Sequence, residues 1–439
     1  MLSRENNEAL VRVGPGTAMG TLFRLYWIPC FPSELLLADG QPKPVRLLGE
    51  DLILFRDTEG RPGLVGNACP HRGAPLMFAR NEECGLRCVY HGWKFNVSGA
   101  AVDMPAEPVR SRLREKVRLK AYKCIERNGI VWTYMGPDQL NPPPLPDLEW
   151  NLLPTQNVHV SFRVQESNWL QAVEGEIDSA HAAILHGRVD NQGAAAEWLA
   201  KKDLRPTFEC FQQPFGMSIA SRRKLSEDTL YWRVNQFVLP FWTLVPPQSK
   251  FPELSGHAWI PMDDTHTLCL MFSYVPAAPL YPRTRELFNE GYKGRETGHA
   301  SRHAYAPKPP NTPYADFWTK FSLENGYQFD YGIQQTTMFS GLPGLWVQDS
   351  ACQAGLAPIY DRTQENLGVG DTGIVMTRHF LLETLAALQE RGIKPAGVDH
   401  PETFMVRAVS LSLPAEARWA EAGRELMQAR LGADFGYTP

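Results

Sequence analysis

The chain has 439 residues, of which 43% are apolar and 21% are charged. This ordinary globular composition excludes a disordered chain, a collagen-like repeat or a coiled coil, and the length predicts two to three domains. The 44 basic and 48 acidic residues leave a net charge of −4, which argues against a nucleic-acid-binding protein. No apolar run approaches the roughly 18 residues of a membrane span, and the N-terminus lacks a secretory signal. Eight cysteines are too few for a disulfide framework, so we expect a soluble, cytoplasmic protein.

The first part of the chain is expected to be a short helix followed by a small all-β unit. Residues 6–13 can form the helix, which the Gly-Pro-Gly sequence at 14–16 would end. Short stretches rich in alternating or β-branched residues then predict strands at Val45–Leu48, Leu52–Arg56, Gly63–Gly66, Gly85–Tyr90, Lys94–Asn96, Leu119–Tyr122 and Ile130–Tyr134. The proline-rich run 141–146 is typical of a semi-rigid linker.

The second part of the chain mixes helices with longer strands. Spacings of three and four between apolar residues predict helices at 167–186, Thr377–Arg391 and Ala415–Leu431. Strands are predicted at Phe215–Lys224, Leu230–Leu239, Gly256–Ile260 and Thr267–Tyr274, and the polar segment 282–313 as a mobile insertion or lid. The predicted fold class is α+β, with a small all-β domain at 1–140 and a larger α+β domain, an antiparallel sheet with flanking helices, at 141–439.

Two Cys-His pairs form the first candidate site. The sequence Cys69-Pro70-His71 is followed, after sixteen intervening residues, by Cys88-Val89-Tyr90-His91. Two Cys and two His are suitable ligands for a metal, and zinc in a tetrahedral site is the simplest interpretation. Two unrelated buried Cys with two hydrogen-bonded His are the weaker alternative. Glycines at 73 and 92 would let backbone N–H groups approach a sulfide-rich cluster, which disfavours zinc.

The pattern around these residues closely resembles that of the Rieske iron–sulfur proteins. The resemblance implies that Cys69 and Cys88 hold one iron of a [2Fe–2S] cluster and that His71 and His91 hold the other. Respiratory Rieske proteins carry two further Cys joined as a disulfide, whereas here Cys84 lies outside those positions. The resemblance is therefore to the ferredoxin and oxygenase branch.

A second candidate site follows the linker, where Glu174, Asp178, His181 and His186 lie close together in sequence. On a regular helix Asp178 and His181 face one way, but His181 and His186 are about 140° apart and could not share one ion. We therefore expect a break near residues 182–185 or a π-bulge. A solvated acidic face with two incidental His is the alternative. Two His and one carboxylate form the facial site of non-haem Fe(II) oxygenases.

The D-x₂-H-x₄-H spacing resembles that of the Rieske non-haem iron oxygenases. By this resemblance His181 and His186 are ligands of a mononuclear Fe(II), and Asp178 is the carboxylate that bridges electron transfer between the two centres. The third ligand would be a downstream carboxylate, for which the residues offer Glu324, Asp330, Asp349, Asp361, Glu365 and Asp371. Asp349 is preferred because residues 341–350 resemble the corresponding segment of the family, whereas residues 361–365 read as a salt-bridge and capping element.

The resemblance covers nearly the whole chain and extends to the phthalate dioxygenase branch of the family. It implies the terminal oxygenase component of a system for aromatic compound catabolism, with dihydroxylation of an aromatic carboxylic acid as the reaction. Electrons would come from an NAD(P)H-dependent flavin and iron–sulfur reductase, and chains would form head-to-tail homotrimers or trimer-based oligomers, in which His71 or His91 of one subunit faces Asp178 of the next. Arg72 and Lys94 are candidate contacts for an acidic reductase surface.

An aromatic acid would need an apolar slot and a cation. Phe237, Phe241 and Trp242 could line the slot, although core packing is the more ordinary role for each. Successive side chains of a strand point to opposite faces, so only one of the neighbouring Arg222 and Arg223 can reach a cavity. Arg233 is a further candidate for the cation.

Three other functions stay open at this stage. An O-demethylase or other monooxygenase of an aromatic acid would use the same two metal centres. A Rieske electron carrier would need only the first centre, and a zinc-stabilised binding module would need no iron.

Overall fold

The computed structural model describes residues 2–190, 200, 203–247, 253–292 and 294–432. Two short helices, α1 (Arg4–Val11) and α2 (Ala18–Arg24), begin the chain. The Ser3 and Thr17 side chains cap them by accepting N–H groups from Asn6 and Gly20, both at 3.1 Å. Such caps satisfy backbone donors that the first turn of a helix leaves without partners.

The next part of the chain is almost entirely β-structure, as the sequence predicts. Its strands are β1 (Trp27–Pro32), β2 (Lys43–Leu47), β3 (Glu50–Arg56), β4 (Pro62–Gly66), β5 (Arg80–Glu82), β6 (Gly85–Arg87), β7 (Lys94–Phe95), β8 (Ala101–Asp103), β9 (Ala121–Arg127) and β10 (Ile130–Tyr134), with the single turn of helix α3 (Leu113–Lys116) before β9. An antiparallel sheet has the order β1-β10-β9-β4-β3-β2, and a smaller one has the order β5-β6-β7-β8. The two candidate Cys-His pairs lie on loops next to the smaller sheet.

The remainder of the chain is α+β, which confirms the predicted fold class. Among the described residues one antiparallel sheet has the order β11-β17-β16-β15-β14-β13-β12. These strands are β11 (Val158–Gln165), β12 (Thr207–Gln213), β13 (Gly216–Lys224), β14 (Thr229–Val238), β15 (Trp242–Val245), β16 (Leu254–Pro261) and β17 (Thr267–Tyr274). A last strand, β18 (Val409–Pro414), pairs with the first half of β14, and β15 pairs with its second half.

Several helices pack against this sheet. They are α4 (Glu149–Leu152), α5 (Trp169–Ile177), α6 (Ala182–Leu185), α7 (Pro282–Glu290), α8 (Tyr331–Thr336), α9 (Leu345–Leu356), α10 (Thr372–Arg391) and α11 (Trp419–Ala422). No helix in the described ranges is long and apolar enough to cross a membrane.

Two hydrophobic cores serve the β-rich part of the chain. The larger one is shared with the α+β part, where Trp132 of β10 stacks on Trp150 at 6.0 Å and lies 6.0 Å from Trp242. The smaller one is local and includes Cys69 and Cys88 with Trp93 and Phe95. The candidate cluster site therefore has its own core, whereas the rest of its domain is continuous with its neighbour.

The helix predicted at Ala415–Leu431 is wrong. Only Trp419–Ala422 is helical there, because the chain then turns to pair with residues 405–407. The Arg407 N–H donates to the Met427 carbonyl at 2.8 Å, and the Ala429 N–H donates to the Met405 carbonyl at 3.1 Å. Tertiary backbone pairing thus overrides an amphipathic helical pattern.

The segment predicted as a polar insertion is more buried than its composition indicates. It begins with α7, and its residues Glu296, His299 and Ser301 are at most 8% exposed. Glu296 is satisfied internally, since its carboxylate accepts hydrogen bonds from the N–H and hydroxyl of Ser301 at 2.7 and 2.8 Å. Position 293 lies outside the described residues, and a role of the segment as a lid stays a prediction.

Candidate active site: two metal centres and a cavity

The first centre is built on two loops that repeat the same backbone hydrogen bonds. In each loop the Cys N–H donates to a carbonyl five residues later, Cys69 to Ala74 at 2.9 Å and Cys88 to Trp93 at 2.8 Å. In each, a glycine four residues after the Cys donates back to the Cys carbonyl, at 2.8 Å for Gly73 and 2.9 Å for Gly92. Both glycines have positive φ, +76° and +77°, a conformation that other residues adopt only with strain.

These loops bring the four predicted ligands together. Cys69 and Cys88 are each 2% exposed, and the rings of His71 and His91 lie 4.4 Å apart, centroid to centroid. The His71 ring also stacks on Trp93 at 4.4 Å. Burial raises the pKa of the Cys69 thiol to about 11, and the neighbouring Cys88 adds to this effect. A thiolate is therefore costly here unless a metal binds it.

The four donors fit a two-iron group better than one zinc ion. Around a tetrahedral zinc, any three ligand atoms lie within roughly 4 Å of one another. Cys69, His71, Cys88 and His91 supply no such group of three among the described residues, although all four are described. Two buried thiols and two imidazoles on opposing loops instead match a [2Fe–2S] cluster with one Cys pair and one His pair. The Nδ1 atom of His71 is buried and has no hydrogen-bond partner among the described residues, as expected of a metal-binding atom.

The second centre depends on a break after helix α5. Asp178 ends the helix in an extended conformation, with φ −77° and ψ 105°, and its carboxylate accepts the N–H of Ala180 at 2.7 Å. The predicted location of the break was wrong by a few residues, because Ala182–Leu185 itself forms the short helix α6. His181 and His186 flank α6, so the turn between them brings both imidazoles to one side.

The predicted third ligand, Asp349, lies in the second turn of α9. Its Oδ1 atom lies 3.4 Å from Nε2 of His181 and 3.4 Å from Nε2 of His186. One ligand atom from each of these residues lies within 4.8 Å of the others, and this is the one such group of His, Cys and carboxylates found in the described residues. The donor set and its partial exposure, 12–25% for the three side chains, fit the two-His, one-carboxylate site of non-haem Fe(II).

Each imidazole has a partner for its other nitrogen. Nδ1 of His186 lies 2.6 Å from Oε1 of Gln348, and Nδ1 of His181 lies 3.4 Å from Oδ2 of Asp178. An acceptor at Nδ1 orients the ring and leaves Nε2 as the metal-binding atom. Sequence analysis gave Gln348 no role, although its position next to Asp349 was a usable signal.

The carboxylates make this pocket favourable for positive charge. Burial alone would lower the pKa of His181, but Asp178 and Asp349 raise it to about 10. For Asp349, burial alone would raise the pKa of the carboxyl group. The nearby imidazoles of His186 and His181 outweigh burial, so the pKa is lowered. The two carboxylates therefore favour positive charge next to His181, as a metal site requires.

The other candidate carboxylates lie elsewhere. Glu174 is held by Arg362 at 2.8 Å and Arg378 at 2.6 Å, and Arg378 also binds Glu365. The predicted salt-bridge role of residues 361–365 is thereby confirmed. The remaining candidates have exposed or local positions: Glu324 in a 3₁₀ turn, Asp330 capping α8, Asp361 bound to Thr363, and Asp371 bound to the Gly368 N–H.

A cavity of about 290 Å³ adjoins the second centre. One face of the large sheet forms its floor, and α7, α9 and the segment at 298–299 close it. The lining includes the site residues Asp178, His181, His186 and Asp349, the apolar residues Val245, Trp259, Met271, Phe288, Leu345 and Trp346, and the polar residues Arg163, Glu176, Arg233, Asn235, Glu253, His257 and His299. A partly open, partly aromatic cavity of this size suits a small aromatic molecule.

The three aromatic residues that the sequence suggested for a slot do not line this cavity, whereas one of the suggested cations does. Phe237, Phe241 and Trp242 are at most 1% exposed and pack in the hydrophobic core that the two domains share. Arg233 does line the cavity.

Two further cations have positions of their own. Arg222 lies outside the cavity, over Trp232, and Arg223 binds the Ser179 carbonyl at 2.6 Å. The cation that sequence analysis missed is Arg163, since β11 itself was not predicted.

Of the two predicted reductase contacts, Arg72 is exposed and lies over the Tyr90 ring at 5.8 Å. Lys94 is 7% exposed and its ammonium group binds the Glu83 carboxylate at 2.9 Å. The prediction for Lys94 is therefore wrong, because its charge is engaged within the domain.

Comparison with protein families identifies the two parts of the chain. Residues 26–123 match the Rieske [2Fe-2S] domain, and residues 133–289 and 304–429 match the family described as LigXa C-terminal domain like. The chain is 35% identical over 428 residues to the 3-chlorobenzoate-3,4-dioxygenase oxygenase subunit of Comamonas testosteroni, with 96% of this chain and 98% of the relative covered. The chain belongs to the Rieske non-haem iron oxygenases, as a terminal oxygenase component, and its cofactors are a Rieske [2Fe–2S] cluster and a mononuclear non-haem iron.

Two more relatives span most of the chain. The phthalate 4,5-dioxygenase oxygenase subunit of Pseudomonas putida is 35% identical over 403 residues, covering 89% of this chain and 87% of its own length. The 5,5'-dehydrodivanillate O-demethylase oxygenase subunit of a Sphingobium strain is 30% identical over 413 residues, covering 91% and 84%. The relatives thus include both dioxygenases and a demethylase.

Solved structures support the fold. The terminal oxygenase of carbazole 1,9a-dioxygenase from Nocardioides aromaticivorans has a TM-score of 0.54 at 17% identity, with 89% of this chain and 98% of that chain covered. The oxygenase in a reduced complex with ferredoxin from a carbazole 1,9a-dioxygenase system has a TM-score of 0.56 at 18% identity, with coverage of 90% and 97%.

Proposed function

We propose that the chain uses O₂ and reductase-supplied electrons to dihydroxylate an aromatic carboxylic acid. The observation that carries this proposal is the cavity next to His181, His186 and Asp349, which combines aromatic walls with arginine side chains. An apolar ring would fit against Trp259 and Phe288, and a carboxylate would find a cation. The relatives named for 3-chlorobenzoate and phthalate act on acids of this kind.

The residue assignments form part of the proposal. Cys69 and Cys88 hold one iron of the cluster and His71 and His91 hold the other, while His181, His186 and Asp349 hold the mononuclear Fe(II). When bound, the cluster supplies electrons and Fe(II) supplies the O₂ chemistry. The chain's own part is to exclude water from the ring, to orient it beside the three donors, and to keep the imidazole rings fixed through Gln348 and Asp178.

We place Asp178 at a contact between subunits of a homotrimer. Two groups of exposed apolar side chains support such a contact, one in or beside the cluster loops (Phe78, Val89 and Tyr90) and one beside the iron site (Ile184, Val189 and Phe339). Asp178 itself is 20% exposed on its side chain. A head-to-tail arrangement that joins two different surfaces closes naturally into a ring.

Asp178→Asn tests the bridging role. We expect the variant to keep the cluster and the iron but to transfer electrons about 10- to 100-fold more slowly in single-turnover measurements, because an amide cannot hold His181 as a carboxylate does. Asp399→Asn, at an exposed ion pair with Lys394, is the control and should not change the rate. An unchanged rate in Asp178→Asn would contradict the bridging role.

The reaction itself is tested by O₂ uptake and product analysis. The anaerobically purified enzyme, supplied with an NAD(P)H-dependent flavin and iron–sulfur reductase, would be given phthalates, halobenzoates, phenoxybenzoate and methoxybenzoates. A cis-diol or catechol in proportion to O₂ consumed would support dihydroxylation. O₂ uptake giving only peroxide would contradict the proposal for every acid on the panel.

A second candidate function is O-demethylation of a methoxylated aromatic acid. The observation that favours it is the relative named as 5,5'-dehydrodivanillate O-demethylase, which covers most of the chain. Formaldehyde together with a phenol, from the methoxybenzoates of the same panel, would establish this reaction instead.

A further inference from the structure

Arg163 is a buried cation in the wall of the active-site cavity. It lies on β11, in register with Cys269 of β17, which is in turn in register with Trp259 of β16. Only 2% of its surface is exposed, and the residue lines the cavity that also contains the three proposed iron ligands. A guanidinium group keeps its charge under all ordinary conditions, so a full positive charge is fixed at this place.

Two aromatic rings orient this guanidinium without neutralising it. Its central carbon lies 5.0 Å from the ring centroid of Trp346 and 5.8 Å from that of Trp259. Cation–π contacts of this kind orient the guanidinium plane, but the rings accept no directional hydrogen bonds from its N–H groups. Trp346 is itself fixed, since its indole N–H donates to the Glu296 carboxylate at 3.3 Å.

The guanidinium lacks strong acceptors within the described residues. Its Nε and Nη1 atoms are buried and have no hydrogen-bond partner. The thiol of Cys269, its neighbour across the strands, is a weak acceptor at best. A buried arginine normally binds a carboxylate, because an unpaired charge and unmade hydrogen bonds are unfavourable in the protein interior.

The carboxylates of the cavity are committed to other groups. Glu176 lies 2.9 Å from Nδ1 of His257, and Asp178 and Asp349 lie against the proposed ligand imidazoles. Burial raises the pKa of Glu253, so this carboxyl group is a weaker counter-charge than an exposed one would be. The chain therefore supplies a fixed cation on the cavity wall, which also acts electrostatically on Asp349, while Glu176, Asp178 and Asp349 have closer partners of their own.

We infer that Arg163 is the receptor for the anionic group of the substrate, a carboxylate or an oxyanion of the same planar geometry. The planar N–H fork of arginine matches a carboxylate, and the two tryptophans fix the direction from which the anion approaches. Bound there, the carboxylate would set which carbons of the aromatic ring face the three iron ligands. This inference rests on the proposed function and names the residue that gives it specificity.

The test compares two probes that share a shape and differ in charge. Binding of 3-chlorobenzoate and 3-chlorobenzamide to the anaerobic holoenzyme would be measured by calorimetry. We expect the wild-type enzyme to prefer the acid, and Arg163→Met to weaken acid binding by roughly 10- to 100-fold with little change for the amide. Arg163→Lys keeps the charge but not the fork, and should retain part of the preference.

Two further variants separate the possible outcomes. Arg222→Met, on the outer side of the sheet, is the matched control and should preserve the preference. Arg233→Met tests the cavity's other arginine, which comes from β14 and so from a different side, since β17, β16 and β15 lie between it and β11. Cluster absorption and iron content show which variants are folded and loaded.

Each outcome decides the inference. Loss of the acid-over-amide preference in Arg163→Met, with metals intact, supports it. An equal weakening of both probes in Arg163→Met and Arg163→Lys would mean a packing role and would overturn it. Loss of the preference only in Arg233→Met would overturn it while the proposed function stands. A wild-type enzyme that binds acid and amide equally would overturn the inference and the proposed function together.

Discussion

The proposed cluster site lies on two loops within residues 69–93 that repeat one set of hydrogen bonds, whereas the proposed iron site joins residues 178–186 to Asp349 on a distant helix. The first has a hydrophobic core of its own, and the second depends on how α5, α6 and α9 pack together. A site built from local loops is visible in sequence spacing and should tolerate distant changes. A site built from tertiary contacts should fail when any of several remote supports is removed.

The largest expected effect is that of Asp349→Ala. This change removes one of three donors, so we expect turnover to be abolished and one iron per chain to be lost, while acid-labile sulfide and the visible absorption of the cluster stay unchanged. Asp361→Ala, at an exposed turn where the carboxylate accepts hydrogen bonds from the hydroxyl and backbone N–H of Thr363, is the control that should keep both metals. Loss of the cluster in Asp349→Ala would contradict the independence of the two sites.

The next largest effect should come from a residue that touches neither metal site. Glu174 pairs with two buried arginines, and Glu174→Gln would leave Arg362 without a carboxylate partner. We expect a loss of about 3–5 kcal/mol in the free energy of unfolding at neutral pH, measured by urea titration, with earlier loss of the iron than of the cluster. The exposed pair of Lys394 and Asp399 provides the control, because Asp399→Asn should cost less than about 1 kcal/mol.

The stabilisation by Glu174 should depend on pH. Burial acts to raise the pKa of its carboxyl group, but Arg362 and Arg378 outweigh burial and hold it below the usual 4.5. A pKa that is lower in the folded state gives stability above the unfolded value and loses it as the pH falls. The difference between wild type and Glu174→Gln should therefore narrow below about pH 4.5, and a constant difference would contradict this assignment.

The sequence predicts the local features well because their causes are local. The strand at Ile130–Tyr134 and the strand at Thr267–Tyr274 have the predicted bounds, and the Cys-His loops follow from glycine positions and spacing. Asp349 could be chosen only by resemblance, since nothing in spacing joins it to His181. Arg163 was missed because β11 was not predicted, and the helix at 415–431 failed because backbone pairing with residues 405–407 competes with it.

A substitution of Gln348 should have a smaller effect, which is confined to the iron site. Gln348→Leu keeps the size of the side chain but removes the acceptor for Nδ1 of His186, now at 2.6 Å. We expect iron affinity at the catalytic site to fall by about 10- to 100-fold in a chelator competition, since partners of this kind orient metal-binding imidazoles. Gln364→Leu, at an exposed position, is the control, and equal iron affinity in both variants would show that His186 needs no such support.

The smallest effect distinguishes the two cluster loops from each other. Gly73 and Gly92 have nearly the same positive φ, so alanine at either should cost about 1–2 kcal/mol in backbone strain. A Cβ at Gly73 would meet no atom within 4 Å, whereas a Cβ at Gly92 would lie 2.7 Å from Cγ of Pro105. Gly92→Ala should therefore lose its cluster faster than Gly73→Ala when bleaching of the visible absorption is followed on warming. Equal rates of cluster loss in the two variants would mean that backbone strain alone sets the effect. Pro105 would then move aside without a measurable loss of stability.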